Sequence, residues 1–188
     1  MKQIFTIIAL MASGSVFAAS ATMEYQNIIG VNNTPTDQNN YNLTVRENIN
    51  KTFVGDLSMS QTSNKTNGAD TLAATRTEAG LTGVTTLFGV QPYTRVAVGQ
   101  KFSSATNFTY YSVEPGVAVP FASTGVTARV GYRFRNAVDP STNADTTRTL
   151  RAGLSYALTK QDTIGVRYDQ VRGDSNQNVV AVNYTRGF

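Results

Sequence analysis

The chain has 188 residues, 40% of them hydrophobic, and its 16 Lys and Arg outnumber its 12 Asp and Glu to give a net charge of +4. This mild excess is too small to indicate nucleic-acid binding. The sequence contains neither Cys nor His, which excludes disulfides, Cys/His zinc sites and nucleophilic mechanisms that need a His base.

The first 18 residues have the pattern of a cleaved secretory signal peptide. Lys2 supplies the positive start, residues 4–12 form an apolar core, and the Val-Phe-Ala of residues 16–18 fits a signal-peptidase site. The apolar run is too short to cross a bilayer as a helix, which needs about 20 residues. We therefore expect cleavage after Ala18, export across the inner membrane, and a mature chain of residues 19–188.

The rest of the chain alternates apolar and polar residues with a period of two, the signature of strands with one apolar face. In the clearest segment Val130 and Tyr132 face one way, and Arg129 and Arg133 face the other. Ten such segments occur, at residues 22–31, 41–47, 52–61, 75–88, 93–102, 108–119, 126–135, 150–158, 164–169 and 177–188. Helical periodicity appears nowhere over a useful length, so an all-β fold of one domain is predicted.

The connections between these segments alternate in length. The polar stretches after the first, third and seventh segments are long, at residues 32–40, 62–74 and 136–147, whereas those after the second, fourth and eighth are short. Outer-membrane barrels show this alternation, with short turns and both termini on the periplasmic side. Within the sixth segment Pro115 lacks the N–H for a ladder hydrogen bond, so we expect a kink or bulge there.

These features predict a closed antiparallel up-and-down transmembrane β-barrel of about ten strands, with eight or twelve as the alternatives. The segment lengths match the roughly 9–11 residues with which a tilted strand crosses a bilayer. A secreted β-sandwich or a soluble lipocalin-like barrel would also show period-two strands, but the apolar face here is continuous in every segment. The 9 Tyr and 9 Phe predict aromatic girdles at the two membrane interfaces.

The last segment alternates Val180 and Val182 with small or polar residues and ends in Phe188. It resembles the terminal assembly signal of Gram-negative outer-membrane β-barrels, and residues 19–188 as a whole resemble the small porin-like members of that superfamily. The Tyr-Arg-Phe-Arg of residues 132–135 is similar to the oligogalacturonate-specific porins, longer monomers that pass acidic oligosaccharides along arginine tracks. The resemblance implies location in the cell outer membrane, contact with its lipid and lipopolysaccharide, and recognition of the last strand by the barrel-assembly machinery.

In such a barrel the polar face is enclosed, so the charged residues in mid-strand are expected to line a lumen. The candidate ligand-binding residues are Arg46, Arg95, Lys101, Glu114, Arg129, Arg133, Arg135, Arg151, Arg167 and Asp169. The same face also carries Arg76, Glu24, Asp56 and Glu78. Positive charge is in excess on this face, which predicts a basic interior.

Two functions remain open at this point. In the first, the barrel is a narrow passive channel whose guanidinium groups favour small anionic solutes. In the second, Arg–carboxylate networks fill the interior, and the protein is a non-conducting barrel with a structural, adhesion or surface-interaction role. No enzymatic activity, metal or cofactor is predicted, because the barrel enzymes of this resemblance rely on a catalytic His that the chain lacks.

Overall fold

The computed structural model describes residues 20–30, 38–66, 69–104, 106–121, 123–139 and 146–188, without the side chains of 65, 66 and 69–71. The predicted signal peptide and most of the expected loops 32–40 and 136–147 lie outside these residues. No helix in the described part of the chain is long and apolar enough to cross a membrane.

Ten antiparallel strands form one closed sheet. They are β1 (Ser20–Gly30), β2 (Gln38–Asn48), β3 (Phe53–Thr66), β4 (Ala69–Val84), β5 (Gln91–Ser103), β6 (Phe108–Phe121), β7 (Val126–Ala137), β8 (Thr147–Ala157), β9 (Asp162–Gly173) and β10 (Gln177–Gly187). Each strand pairs with its neighbours in the chain, and β1 pairs with β10. The predicted fold class, a closed up-and-down barrel of about ten strands, is confirmed.

Closure depends on the pairing of the first and last strands, which runs from Ser20 opposite Gly187 to Gly30 opposite Gln177. The last strand is also tied to the turn before β9, where the Asp162 carboxylate accepts hydrogen bonds from its Tyr184 and Arg186 side chains. Because the sheet returns on itself, the backbone groups of the closed ring find partners within the sheet.

The two faces of the sheet have the predicted polarity. Val130 and Leu154 point outward and are 48% and 53% exposed, and Tyr132 points outward beside them. Their neighbour Arg133 lies on the inner wall. A soluble sandwich or lipocalin-like barrel would bury the aliphatic residues instead. The outer surface is therefore apolar and the charged face is enclosed, the arrangement of a barrel whose solvent is lipid.

The expectation of a long polar loop at residues 62–74 is wrong. β3 continues to Thr66 and β4 begins at Ala69, with one register shift between Thr62 and Ser63. Strands pair through backbone groups, which Ser, Thr and Asn carry like other residues. The alternation of apolar and polar side chains can therefore stop outside the apolar belt while the two strands continue. The β3–β4 hairpin consequently extends past β5, whose pairing with β4 stops at Ala74.

Two smaller irregularities follow from single residues. Val84, which interrupts the alternation of the fourth segment, faces the interior together with Val54. At Pro115 the pairing of β6 with β7 stops after Val113 and resumes at Gly116 in the same register. The expected disturbance at Pro115 is therefore an interrupted ladder, with no inserted residue.

The aromatic residues divide between the two faces. Tyr25 and Tyr41 lie side by side on the outer surface, with ring centroids 5.4 Å apart and ring planes tilted by 53°. Tyr93, Phe108 and Tyr110, in contrast, lie on the inner face, on strand positions that alternate in phase with the charged residues. The expectation of girdles is therefore wrong for these three residues, and for the outward-facing aromatic residues it stays a prediction.

Adjacent residues of β8 provide a test of the two faces. We expect Leu154→Arg to lower the free energy of unfolding in lipid bilayers by about 2–4 kcal/mol, because it places a cation on the apolar belt. Ser155→Arg is the matched control, since Ser155 faces the interior and the new cation would meet water. Denaturant unfolding from bilayers measures both values, and equal losses would contradict the assignment of the faces.

Candidate functional site

The barrel encloses a cavity of about 620 Å³ to which all ten strands contribute lining residues. The lining begins with Thr22 and Val54, near the rim that carries the chain termini, and reaches Ile28 and Gln177 near the opposite rim. The lining residues therefore extend along the axis of the barrel, and the volume of the cavity lies within the range of ligand sites in proteins.

The structure places nine of the ten candidate residues on the wall of this cavity. They are Arg46, Arg95, Glu114, Arg129, Arg133, Arg135, Arg151, Arg167 and Asp169. The tenth, Lys101, lies on the inner face of β5 nearer the rim, where its ammonium group is 5.3 Å from the ring centroid of Phe108. The ten candidate residues thus lie on the inner surface of one barrel.

The first group of ion pairs centres on Arg95. Its Nε and Nη2 donate to the two carboxylate oxygens of Asp56 at 3.0 and 2.5 Å, and its Nη1 lies 2.7 Å from Glu78. Such a bidentate contact fixes the guanidinium plane as well as its position. Because Asp56 is on β3, Glu78 on β4 and Arg95 on β5, the group connects three consecutive strands.

A second group of ion pairs runs from β6 to β1. Arg151 Nη1 donates to Glu114 at 2.8 Å, and Arg151 Nε lies 3.5 Å from Asp169. Arg167 donates to Asp169 at 2.8 Å and to both carboxylate oxygens of Glu24 at 2.6 and 3.1 Å. Asp169 therefore joins two arginines, and the group connects β6, β8, β9 and β1.

Small residues lie beneath the longer ion pairs, on the strand that each pair crosses. A Cβ atom on Gly80 of β4 would be 2.5 Å from Arg95 Nη2 and 2.7 Å from Asp56 Oδ2. A Cβ atom on Gly131 of β7 would be 3.2 Å from Glu114 Oε1. Each long ion pair crosses one strand rather than the lumen, so these side chains lie against the wall.

The charges of the interior do not balance. All five carboxylates of the described inner face belong to the two groups of ion pairs, where three arginines hold them. The same face carries six further cations, Arg46, Arg76, Lys101, Arg129, Arg133 and Arg135. Within the described residues this gives the interior an excess of four positive charges, and none of their acidic groups clusters as a metal site would require.

Two inward tyrosines support cations of the wall. The guanidinium carbon of Arg129 lies 5.2 Å from the ring centroid of Tyr93, and that of Arg135 lies 5.3 Å from the ring centroid of Tyr110. Cation–π contacts of this kind orient a guanidinium group without neutralising its charge. Composition alone assigned these tyrosines to the girdles, but Tyr93 alternates in phase with Arg95, a signal that places it inside.

The cavity narrows towards the rim opposite the termini. Phe108, Tyr110 and Thr149 are all buried on the inner faces of β6 and β8. Farther round the wall, β1, β9 and β10 contribute a buried apolar cluster, Ile28, Val171 and Val179. Side chains therefore constrict the lumen at this end, whereas the end with the termini is lined by smaller residues such as Thr163 and Thr185.

Comparison with known proteins identifies the fold. No protein-family model and no curated protein sequence matches the chain. The KdgM porin in complex with disordered oligogalacturonate matches over 90% of this chain and 99% of that one, with a TM-score of 0.51 and 14% identity. The fold is that of a small outer-membrane β-barrel, as the sequence predicted.

Two autotransporter domains match equally well. The match with the β-domain of the Bordetella autotransporter BrkA covers 91% of this chain and 99% of that domain, with a TM-score of 0.52 and 12% sequence identity. The match with the translocator domain of the autotransporter NalP from Neisseria meningitidis covers 100% of this chain and 95% of that domain, with a TM-score of 0.52 and 11% sequence identity. At such low identities the likeness is one of fold alone, so function has to be argued from the interior of this barrel.

The ion pair over Gly80 can be tested with a methyl group. We expect Gly80→Ala to displace the Arg95 guanidinium from Asp56 and to lower the free energy of unfolding by about 1–3 kcal/mol. Gly55→Ala is the matched control, because its new Cβ would lie 3.4 Å from Ile49, an ordinary van der Waals distance. Equal stability of the two variants in denaturant unfolding would contradict the role of Gly80.

Proposed function

We propose that the protein is a narrow passive channel of the bacterial outer membrane that favours small anionic solutes. The observation that carries this proposal is an interior cavity of about 620 Å³ that is lined by every strand, with the long ion pairs lying along its wall. A barrel filled by its own networks would instead direct these side chains across the axis.

The proposed orientation follows from the two rims. The apolar outer surface contacts membrane lipid, and lipopolysaccharide contacts it in the outer leaflet. The short turns and both ends of the barrel lie in the periplasm, which suits export by a signal peptide and delivery of the last strand to the barrel-assembly machinery. The β3–β4 hairpin, the longest of the barrel, then extends towards the outside of the cell.

Selectivity for anions rests on the surplus guanidinium groups. Arg129 and Arg133 follow one another along the inner face of β7, so a solute that passes the lumen meets them in succession. The buried Nε of Arg133 has no hydrogen-bond partner among the described residues. Guanidinium donors match the geometry of carboxylate and phosphate groups, which a passing anion supplies.

The KdgM porin shares the fold of this chain, and the choice of solute rests on the charges of the interior. That porin was found with oligogalacturonate, a chain of acidic sugars, in a barrel of similar fold. An anionic solute in this lumen would meet an inner face whose described residues carry four more cations than carboxylates. We propose no enzymatic role, because each described lumen carboxylate is held by an arginine and is poorly placed to accept a proton from a substrate.

The alternative is a non-conducting barrel that acts through its surface. Two observations favour it: the narrowing of the lumen at Phe108, Tyr110 and Thr149, and the extension of the polar β3–β4 hairpin past its neighbour β5. Electrical recording separates the two functions, because a closed lumen carries no current whatever its surface binds.

We expect the purified protein to form ohmic pores in planar bilayers with a preference for anions. Arg133→Gln should lower the ratio of anion to cation permeability about two- to fivefold, the effect of one charge several ångströms from an ion in a water-filled pore. Arg148→Gln is the matched control, because Arg148 is exposed on the outward face of β8. Reversal potentials in a salt gradient measure both ratios.

Two results would count against this proposal in different ways. A bilayer that stays silent at high protein load would reject the channel in favour of the surface role. Pores whose selectivity is unchanged by Arg133→Gln, or changed as much by Arg148→Gln, would keep the channel but reject the lumen arginines as its selective element.

A further inference from the structure

Two arginines of the inner face lie on opposite walls of the barrel. Arg46 is on β2 and Arg129 is on β7, and in the ring of ten strands β7 is five steps from β2 in either direction. Both residues line the cavity of the barrel. Their side chains therefore enter the lumen from opposite sides, and the register of the strands decides whether they lie at the same height.

The register places Arg129 at the height of Arg46. Because barrel strands are tilted, a path of directly paired residues climbs on one side of the barrel and descends on the other. From Arg46 one path crosses β3 to β6 and reaches Arg135 of β7. The other path crosses β1 and β10, continues in register through the β8–β9 turn, and reaches Ser123 just before β7. The residue midway between these two end points is Arg129.

The two guanidinium groups interact across the lumen. Ten strands about 4.8 Å apart with a tilt of about 40° form a ring roughly 20 Å across between opposite backbones. Two arginine side chains, which are among the longest in proteins, extend into this space from opposite sides. Arg129 is the charged group that interacts most strongly with Arg46, ahead of Asp56 on the adjacent strand. Two like charges therefore face each other inside the barrel.

Other arginines already hold the carboxylates nearest to this pair. Asp56 and Glu24 are the acidic groups that attract Arg46. Arg95 binds the Asp56 carboxylate at 2.5 Å. Arg167 binds the Glu24 carboxylate at 2.6 Å. Each of these carboxylates is thus neutralised mainly by its own partner, and the repulsion between the two opposed guanidinium groups favours an anion that enters between them.

Both guanidinium groups can be reached from the lumen. Arg46 is half-buried and Arg129 is exposed, although both lie on the inner face. The ring of Tyr93, 5.2 Å from the guanidinium carbon of Arg129, supports this side chain without neutralising its charge. A solute that enters the cavity therefore meets a cation on each wall at one height.

We propose that Arg46 and Arg129 form one binding site for a doubly charged oxyanion, such as the phosphate group of a small phosphate ester. Each guanidinium group donates a fork of hydrogen bonds to one side of the ion, whose tetrahedral oxygens face both walls at once. A singly charged ion neutralises only one of the two arginines. The site rests on the proposed access of solutes to the lumen, but it does not require their passage through the whole barrel.

Two ligands of the same shape test the need for two charges. Methyl phosphate is a dianion at about pH 8, because the second pKa of a phosphate ester is about 6, whereas methyl sulfate is a monoanion. Isothermal calorimetry on the barrel folded in uncharged detergent micelles measures both affinities without any need for conduction. We expect methyl phosphate to bind at least about tenfold more tightly than methyl sulfate.

Arg46→Gln and Arg129→Gln test the two walls separately. Each substitution leaves one arginine, so each should weaken the binding of methyl phosphate about tenfold and remove most of the preference over methyl sulfate. Lys51→Gln is the matched control, because it removes the same charge from an exposed turn next to β2. Neither arginine belongs to the two groups of ion pairs that connect the strands, and circular dichroism of the same samples verifies the fold.

The outcomes separate this site from the channel. Equal affinities for the two ligands, no binding of methyl phosphate, or a loss in only one of the two arginine variants would overturn the bridge between the walls. An equal loss in Lys51→Gln would show general attraction to a basic protein and also overturn it. Binding by a protein that gives no current in planar bilayers keeps the site and rejects the channel, whereas pores without this binding keep the channel and reject the site.

Discussion

The structure depends on the closure of its sheet by β1 and β10. A barrel in lipid has no water at its edges, so its backbone groups must find their partners within the sheet. Closure also decides which face of each strand is enclosed. Once the ring is complete, the aliphatic side chains have only the outside to occupy, and the arginines and carboxylates share a confined lumen.

Confinement explains how the charges are arranged. A carboxylate enclosed in the lumen is costly unless a cation is close, and each of the five carboxylates is held by one of three arginines. Small residues such as Gly80 and Gly131 let these pairs cross a neighbouring strand without rising into the lumen. Within the described residues the inner face carries nine cations and five carboxylates, so the interior is positive.

The sequence was sufficient for properties that depend on period two alone. It predicted the strands, their approximate number and the face of each mid-strand charge, since a residue's parity decides its side of the sheet. It missed the β3–β4 extension because polar residues pair through their backbones as well as apolar ones. It did not identify the partner of Arg95, because Asp56 lies 39 residues away and the pairing depends on register. Tyr93 and Tyr110 were assigned by composition although their parity placed them inside.

The alternation of apolar and polar residues decides which face of the barrel is outside and which is inside. The same alternation occurs at both ends of every strand, so it does not distinguish one end of the barrel from the other. The axial difference lies in the connections. One rim has short turns, in which Ile49, Phe88 and Leu158 are exposed, and at the other rim the β3–β4 hairpin extends past β5. The connections therefore carry the axial difference that the alternation within the strands lacks.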